Sequence, residues 1–170
     1  LPVPPGTGGM APALSLRYSS LGSNGMVGQG WSLTGLSTIH RCTKTIAQDG
    51  EPGRNNFDRG DRLCLDGQRL LRVNASSTGG DIDAAYWEIG AEFRTEQESF
   101  TRVTRLDSGG FKAESKDGRI RYFGTNFNDS DTGSTIHTVG LPDDHQLVWA
   151  LGHVEDRVGN YMAVEYRQDR

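Results

Sequence analysis

The chain has 170 residues, with 18 lysines and arginines against 22 aspartates and glutamates, so its formal net charge at pH 7 is -4. This mildly acidic balance disfavours a nucleic-acid-binding module, which usually carries a basic excess. The longest apolar run, 147–151, is far shorter than the roughly 20 residues of a membrane-spanning helix.

The N-terminal part of the chain is predicted to be an arm followed by two strands. Residues 1–12 contain four of the six prolines, so we expect an extended, Pro/Gly-rich arm and no helix there. Residues 13–19 alternate apolar and polar side chains, which predicts a half-buried strand. Residues 31–39 are rich in β-branched and apolar side chains and predict a second strand, bent or bulged at Gly35.

The strongest local signal is a hairpin around Asp66-Gly67. This dipeptide is preferred in a type I′ turn, and strand-like apolar segments flank it at 63–65 and 69–73. We therefore expect two antiparallel strands joined by a two-residue turn.

The same pattern of strand, turn and strand recurs further along the chain. Asp117-Gly118 lies between two strand-like segments. Near the end, a turn that contains Gly159 joins predicted strands at 147–154 and 161–166. Glycine, whose 23 copies are about twice the usual share, thus marks turns and bends along the chain.

One stretch, 91–108, is compatible with a helix, because it lacks Gly and Pro and carries Phe93, Phe100 and Val103 at near-helical spacing. Its β-branched residues and its strand-rich surroundings favour strand over helix. With no βαβ unit in the sequence, we predict an all-β fold, an antiparallel meander of hairpins. The side chains expected on its packed faces are Trp31, Trp87, Trp149, Phe100, Tyr122 and Tyr166.

Glu96 and Glu98 form an E-x-E pair, the arrangement that many ADP-ribosyltransferases use to stabilise the positive charge developing on the ribose. Those enzymes also need an upstream arginine and a Ser-Thr-Ser strand. Here only Arg17 and the incomplete sequence at 37–39 are available. The pair is therefore interpreted as part of a solvated strand face, with catalysis kept as a rival hypothesis.

The two cysteines, Cys42 and Cys64, allow two interpretations. A disulfide between them would close a loop of roughly twenty residues and stabilise the fold by about 3 kcal/mol. They could equally be two reduced, buried thiols. His40 lies two residues from Cys42, but without a C-x-x-C spacing a zinc site or a Cys-His dyad is disfavoured.

Other motifs do not predict a cofactor or metal site. The glycine clusters at 6–9 and 22–30 lack the Gly-Lys-Ser/Thr ending of a phosphate-binding loop. The segment 128–133 resembles a calcium loop but has no acidic residue at its twelfth place. We therefore predict no catalytic, cofactor or metal residues.

The order of several sequence blocks resembles the N-terminal region of the Salmonella virulence plasmid B protein family. The same region occurs in the B components of insecticidal toxin complexes and in related Rhs/YD-repeat proteins. The opening PVPPGTGGM is the most recognisable block, and Trp149-Ala150-Leu151 with the turn at 156–160 and Tyr166 resembles the strand-turn-strand unit of YD-type shells. The other matching blocks are 12–16, 18–20, 28–33, 35–37, 41–42, 61–70, 93–96 and 99–100.

The resemblance implies that the chain is a single β-rich segment, 1–170, within a larger secreted bacterial toxin or Rhs-type protein. It implies a non-enzymatic strip of a β-sheet shell that encloses and helps deliver a toxic C-terminal polypeptide. The implied partners are the rest of the parent shell protein, a toxin C-type or Rhs component and the enclosed polypeptide. Nucleic acid is not among them. Any transferase activity in this family would lie in a separate C-terminal domain.

A different class of function is kept as an alternative. A β-rich adhesin or glycan-binding module would use exposed aromatic side chains to stack on sugars, and Tyr86 and Trp87 are the candidates. Sugar binding on a glycan array that is lost in Trp87→Ala would favour this alternative.

Overall fold

Antiparallel strands make up nearly all the regular structure of the chain. The computed structural model describes residues 1–20, 24–25, 28–75, 82–125, 134–137 and 146–166. In these ranges a 3₁₀ turn (Thr7–Gly9) and two short helices, α1 (Ile46–Asp49) and α2 (Ile82–Tyr86), accompany the strands. The strands are β1 (Ser15–Tyr18), β2 (Asn24–Gly25), β3 (Gly28–Gln29), β4 (Trp31–Thr34), β5 (Thr38–Cys42), β6 (Arg62–Leu65), β7 (Gln68–Arg72), β8 (Glu92–Thr95), β9 (Thr101–Arg105), β10 (Phe111–Ser115), β11 (Ile120–Phe123), β12 (Thr135–His137), β13 (Gln146–Glu155) and β14 (Tyr161–Ala163).

Eight of these strands form a sheet that closes on itself. From β5 to β11 each strand pairs antiparallel with the next one in the sequence. The ring is completed by β13, whose first half pairs with β5 and whose second half pairs with β11. The predicted all-β antiparallel fold class is confirmed. Closure removes the two bare edges that an open sheet of these strands would expose.

The long strand β13 has neighbours on both of its edges. Trp149 is paired with Ile39 of β5 on one edge and with Thr135 of β12 on the other. Towards the end of the strand the neighbours change to β11 and β14. One continuous strand therefore joins the first and last members of the meander.

One hydrophobic core lies against these strands, with Trp149 in it. The Trp149 side chain is 1% exposed and meets the Phe111 ring edge-on, with 5.2 Å between the ring centroids. The backbone at Gly124 passes so close that a Cβ there would lie 2.6 Å from the Trp149 ring, which requires glycine. The other large side chains that are fully buried are Phe93, Phe123, Ile39, Leu63, Leu70 and Val103.

The two Asp-Gly hairpins have different turns. Asp66 and Gly67 both have positive φ angles, 50° and 82°, as a type I′ turn requires. At the second hairpin only Gly118 has a positive φ, 83°, and the Ser115 amide donates to the Arg119 carbonyl. This is a longer loop with a single left-handed glycine, because the last paired residues are Glu114 and Ile120 rather than the direct neighbours of the dipeptide.

The N-terminal hairpin lies outside the closed sheet and corrects one expectation. The strand predicted over 13–19 is β1, which is exposed on both faces rather than half-buried. It pairs only with β4, in a separate two-stranded sheet. The predicted strand over 31–39 is two strands, since the backbone turns at Gly35, where a Cβ would lie 2.2 Å from the Ala13 carbonyl oxygen.

Other expectations differ from the structure in smaller ways. The stretch 91–108 is strand, as favoured, but it is divided into β8 and β9. Trp31 and Phe100, expected on packed faces, are 41% and 59% exposed, because Trp31 lies on the outer hairpin and Phe100 at a loop with φ of 54°. Neither short helix was predicted. No helix within the described ranges is long and apolar enough to cross a membrane.

Candidate functional site

The E-x-E pair lies in the exposed connection between β8 and β9. The Glu98 carboxylate accepts a hydrogen bond from the Phe100 amide, and the Glu96 amide donates to the Arg69 carbonyl. Ser37, from the incomplete Ser-Thr-Ser sequence, instead donates its hydroxyl to Asp66, and the Thr38 amide donates to the same carboxylate. The polar groups singled out for catalysis therefore make local bonds that shape two turns.

The two cysteines are joined in the structure. Cys42 on β5 and Cys64 on β6 form a disulfide with 5.9 Å between their Cα atoms. In the strand register Cys42 is opposite Arg62 and Cys64 is opposite His40, so the bond runs diagonally across neighbouring strands. Both cysteines line a cavity of about 330 Å³ that Glu96 and Gln97 also border.

The hydroxyl of Tyr86, at the end of α2, is inserted between β6 and β7. It accepts a hydrogen bond from the Leu63 amide (3.0 Å) and donates one to the Leu70 carbonyl (2.8 Å). The ladder between these strands pairs Cys64 with Arg69 and Leu65 with Gln68, and the next pair would be Leu63 with Leu70. Tyr86 thus satisfies two backbone groups where the strands separate, and its burial raises the pKa of its phenol to about 12.

A group of largely buried ion pairs connects the two short helices to this hairpin. Arg69 donates two hydrogen bonds of 2.6 Å to the Asp49 carboxylate of α1. Arg62 bonds Asp49 (3.2 Å) and Asp83 of α2 (2.7 Å), and its guanidinium lies 4.9 Å from the Tyr86 ring centroid. Hydrogen bonds from the Thr45 amide and Arg69 hold the pKa of the Asp49 carboxyl below its usual value, although burial opposes them. The arrangement fixes α1 and α2 against the sheet.

A second buried ion pair, Arg41 with Asp61, lies next to it. The Arg41 side chain is 8% exposed and the Asp61 side chain 1%, with 3.0 Å between Nη1 and Oδ2. Asp61 also accepts the amides of Asn56 and Phe57, so it shapes the loop before β6. The Arg41 guanidinium lies 4.4 Å from the centroid of the Trp87 ring.

Trp87 forms one wall of an open cavity of about 390 Å³. Its indole Nε1 donates to the carbonyls of Arg59 (3.0 Å) and Asp61 (3.2 Å). Arg105, from β9, donates to the Trp87 carbonyl, and its guanidinium lies 5.4 Å from the ring centroid. The residues around the cavity are Arg41, Phe57, Asp58, Arg59, Ala84, Trp87, Glu88 and Arg105.

Sequence reasoning singled out Trp87 but none of the arginines around it. Arg41, Arg59 and Arg105 are far apart in the sequence, and no shared motif joins them. Only Arg105 lies in a stretch that was predicted to be strand, so the sequence carried no signal that would bring the three arginines together.

The turn that contains Gly159 meets the N-terminal arm. The Asp156 carboxylate accepts the amides of Val158 (2.9 Å) and Asn160 (3.0 Å) as well as the Asn160 side-chain amide (2.8 Å). A Cβ on Gly8 would lie 2.6 Å from Nδ2 of Asn160, so the arm passes directly over this turn. Two blocks from opposite ends of the sequence are therefore in contact.

Two aromatic side chains are exposed together on the outer hairpin. Tyr18 of β1 and Trp31 of β4 are opposite each other, with 5.3 Å between their ring centroids, and are 58% and 41% exposed. Of the two glycan-stacking candidates, Tyr86 is only 6% exposed and has its hydroxyl bonded to backbone, and Trp87 is half-buried.

The metal motifs have no counterpart in the described parts of the chain. There, no group of three His, Cys, Asp or Glu side chains is placed to hold a metal ion. The calcium-like segment 128–133 lies outside the described residues, as does part of the glycine cluster 22–30.

Solved structures share this fold over almost the whole chain. A crystal structure of TcdB2-TccC3 matches with a TM-score of 0.70 and 21% identity, covering 100% of this chain and 8% of that one. The Photorhabdus luminescens Tc holotoxin pore matches with a TM-score of 0.71 and 22% identity, with the same coverage. The N-terminal domain of the effector SpvB from Salmonella typhimurium strain LT2 matches with a TM-score of 0.67 and 20% identity, covering 95% of this chain and 51% of that one.

The chain spans less than two thirds of each of these proteins, and their identities of 20–22% show a shared fold. No curated protein matches the sequence. The family described as SpvB, Salmonella virulence plasmid 65kDa B protein, matches residues 1–170, which is the entire sequence. The resemblance of the ordered sequence blocks is thereby confirmed, and the chain belongs to the SpvB family.

Proposed function

We propose that this chain is a non-enzymatic structural segment of a larger secreted toxin or Rhs-type protein. It would form part of a β-sheet shell that encloses a toxic C-terminal polypeptide and helps to deliver it. The observation that carries the proposal is the closed eight-stranded sheet, whose buried polar groups are used to hold its own loops and helices. The partners would be the rest of the parent shell, a C-type or Rhs component and the enclosed polypeptide.

Three features support this structural role, and the first of them also favours an oxidising compartment. The Cys42–Cys64 disulfide is of the kind that persists in oxidising compartments. The outer hairpin β1–β4 presents exposed Tyr18 and Trp31, which suits contact with further shell strands. The relatives of the same fold are toxin-complex chains and an effector, and the chain spans 8% to 51% of their lengths.

Limited proteolysis of the parent protein tests encapsulation. We expect the C-terminal polypeptide to resist protease in the intact protein and to be digested in Trp149→Asp, because this change places a charge in the core that closes the ring. Val158→Asp also introduces an aspartate, but at a side chain that is 82% exposed, so the C-terminal polypeptide should remain protected from protease. Equal digestion of the C-terminal polypeptide in all three proteins would exclude a role for this segment in encapsulation.

The transferase alternative has a separate test. Labelled NAD transfer by the chain, abolished in Glu98→Gln, would replace the structural proposal with an enzymatic one. Glutamine keeps an oxygen that can accept the Phe100 amide, so the variant removes the charge without removing the local hydrogen bond. For the glycan-binding alternative, a glycan array on which binding is lost in Trp87→Ala would replace the structural proposal with a sugar-binding one.

A further inference from the structure

We propose that the cavity beside Trp87 is a binding site for a carboxylate group, held by Arg105 and Arg59 with the indole ring as a wall. This role is separate from the proposed structural function. The cavity would be filled by a small organic acid or by the acidic side chain of a peptide, both of which present a carboxylate.

The first argument is the state of the Arg105 guanidinium. It is partly buried on β9 and donates to the Trp87 carbonyl, yet it makes no ion pair with any described carboxylate. Its Nε is buried and has no hydrogen-bond partner in the described residues. Burial, together with the charges of Arg41 and Arg59, lowers the pKa of this guanidinium. A partly buried cation among like charges gains most from an anion placed next to it.

The second argument is that other donors converge on the same space. The Arg59 side chain is exposed and donates to no described residue, whereas its carbonyl is fixed by the Trp87 indole. Arg41 uses Nε and Nη1 to bond the Gln146 carbonyl, the Asp58 carbonyl and Asp61, and leaves Nη2 without a described partner. Guanidinium groups present paired N–H donors that match the two oxygens of a carboxylate.

The third argument concerns which anion fits. Three arginines border the cavity, but Asp58 and Glu88 border it too, so the lining carries a single excess positive charge. Arg41 and Glu88 are already neutralised, by Asp61 and Arg72 respectively. A singly charged carboxylate matches this balance, whereas a phosphate dianion would meet repulsion from Asp58.

Calorimetric titration of the 170-residue chain tests the site with three probes: benzoate, an N-acetyl glutamate methylamide and inorganic phosphate. We expect the two carboxylates to bind, and we expect added salt to weaken their binding. Tighter binding of the glutamate derivative identifies a peptide side chain as the natural ligand, and tighter binding of benzoate identifies an organic acid. Either result supports the carboxylate site.

The variants connect binding to the named arginines. Arg105→Gln should weaken carboxylate binding by at least about tenfold, because a charge-assisted hydrogen bond is lost. Arg59→Gln should weaken it by about threefold, as expected for a more exposed cation. Since Arg59 makes no described side-chain bond, this variant tests the site even if Arg105→Gln fails to fold. Arg119→Gln, an exposed arginine on a different hairpin, is the matched control and should bind like the unaltered chain.

Three results would overturn the proposal. These are no carboxylate binding at millimolar concentration, tighter binding of phosphate than of both carboxylates, and equal affinity in Arg59→Gln and Arg119→Gln.

Discussion

The hydroxyl of Tyr86 replaces a rung of the sheet, and its removal should have a cost beyond the loss of one hydrogen bond. In Tyr86→Phe the Leu63 amide and the Leu70 carbonyl would lose their partner at residues that are 0% exposed. Leaving a buried backbone group unsatisfied costs about 1–3 kcal/mol. We expect urea unfolding to give a free energy of unfolding lower by about this amount, with an unchanged m-value.

Tyr161→Phe is the matched control for this prediction. Tyr161 lies on β14 and is 67% exposed, so the same chemical change should alter the free energy of unfolding by less than about 0.5 kcal/mol. An equal effect in both variants would mean that the separation of β6 from β7 does not depend on the Tyr86 hydroxyl.

At the scale of the element, the diagonal disulfide between β5 and β6 should stabilise the hairpin chiefly through the unfolded state. The cysteines are 22 residues apart, and closing a loop of that length is worth about 3 kcal/mol in the chain-entropy model. The antiparallel ladder already holds the two strands in register, so reduction should leave the fold intact. We therefore expect dithiothreitol to lower the free energy of unfolding by about 2–4 kcal/mol without changing the far-UV circular dichroism.

The double variant Cys42→Ala/Cys64→Ala provides the control for this experiment. It should be as unstable as the reduced protein and should not respond to dithiothreitol. If the unaltered chain also fails to respond, the disulfide contributes nothing to stability.

Elements with a local cause could be predicted from the sequence, and elements with a tertiary cause could not. The Asp66-Gly67 hairpin follows from two residues that adopt positive φ easily, so its turn was predicted correctly from the dipeptide alone. The helix α2 has no such signal, since its five residues are held by Tyr86 between two strands and by Asp83 against Arg62. The exposure of both faces of β1 was not predicted, because alternating apolar and polar residues indicate a buried face only where another layer packs against the strand.

At the scale of the molecule, closure of the sheet depends on strand pairings that no local sequence pattern predicts. The strand over 147–154 was predicted, but its role in joining β5 to β11 was not, because those partners come from distant parts of the sequence. The candidate carboxylate cavity is of the same kind, as Arg41, Arg59 and Arg105 meet only when β5, the following loop and β9 are assembled. One part of this assembly was predicted: Trp149 lies in the apolar run 147–151 and was expected to be packed, and in the structure it is buried.

Two histidines on or next to the closing strand β13 make the stability of the closed sheet dependent on pH. His153 lies on β13, with Tyr122 and Tyr161 against its ring and Glu155 nearby, and His40 is paired with Val148 of the same strand. Burial lowers the pKa of both imidazoles in the folded chain, although Glu155 and Asp66 oppose the effect. The unfolded chain then binds more protons than the folded one just below pH 6.5, the unshifted value.

The free energy of unfolding should therefore fall as the pH falls below about 6.5, towards the lowered pKa values of the folded state. The carboxyl groups of Asp49, Glu114 and Asp156 also have lowered pKa values, but they lose their contribution only at more acidic pH, below their ordinary values near 4. Urea unfolding between about pH 7.5 and pH 5 isolates the histidines. His40→Gln/His153→Gln should lose most of the slope, and Asp156→Asn should retain it. A free energy of unfolding in the unaltered chain that stays constant or rises on acidification would show that neither histidine is held neutral at the seam of the ring.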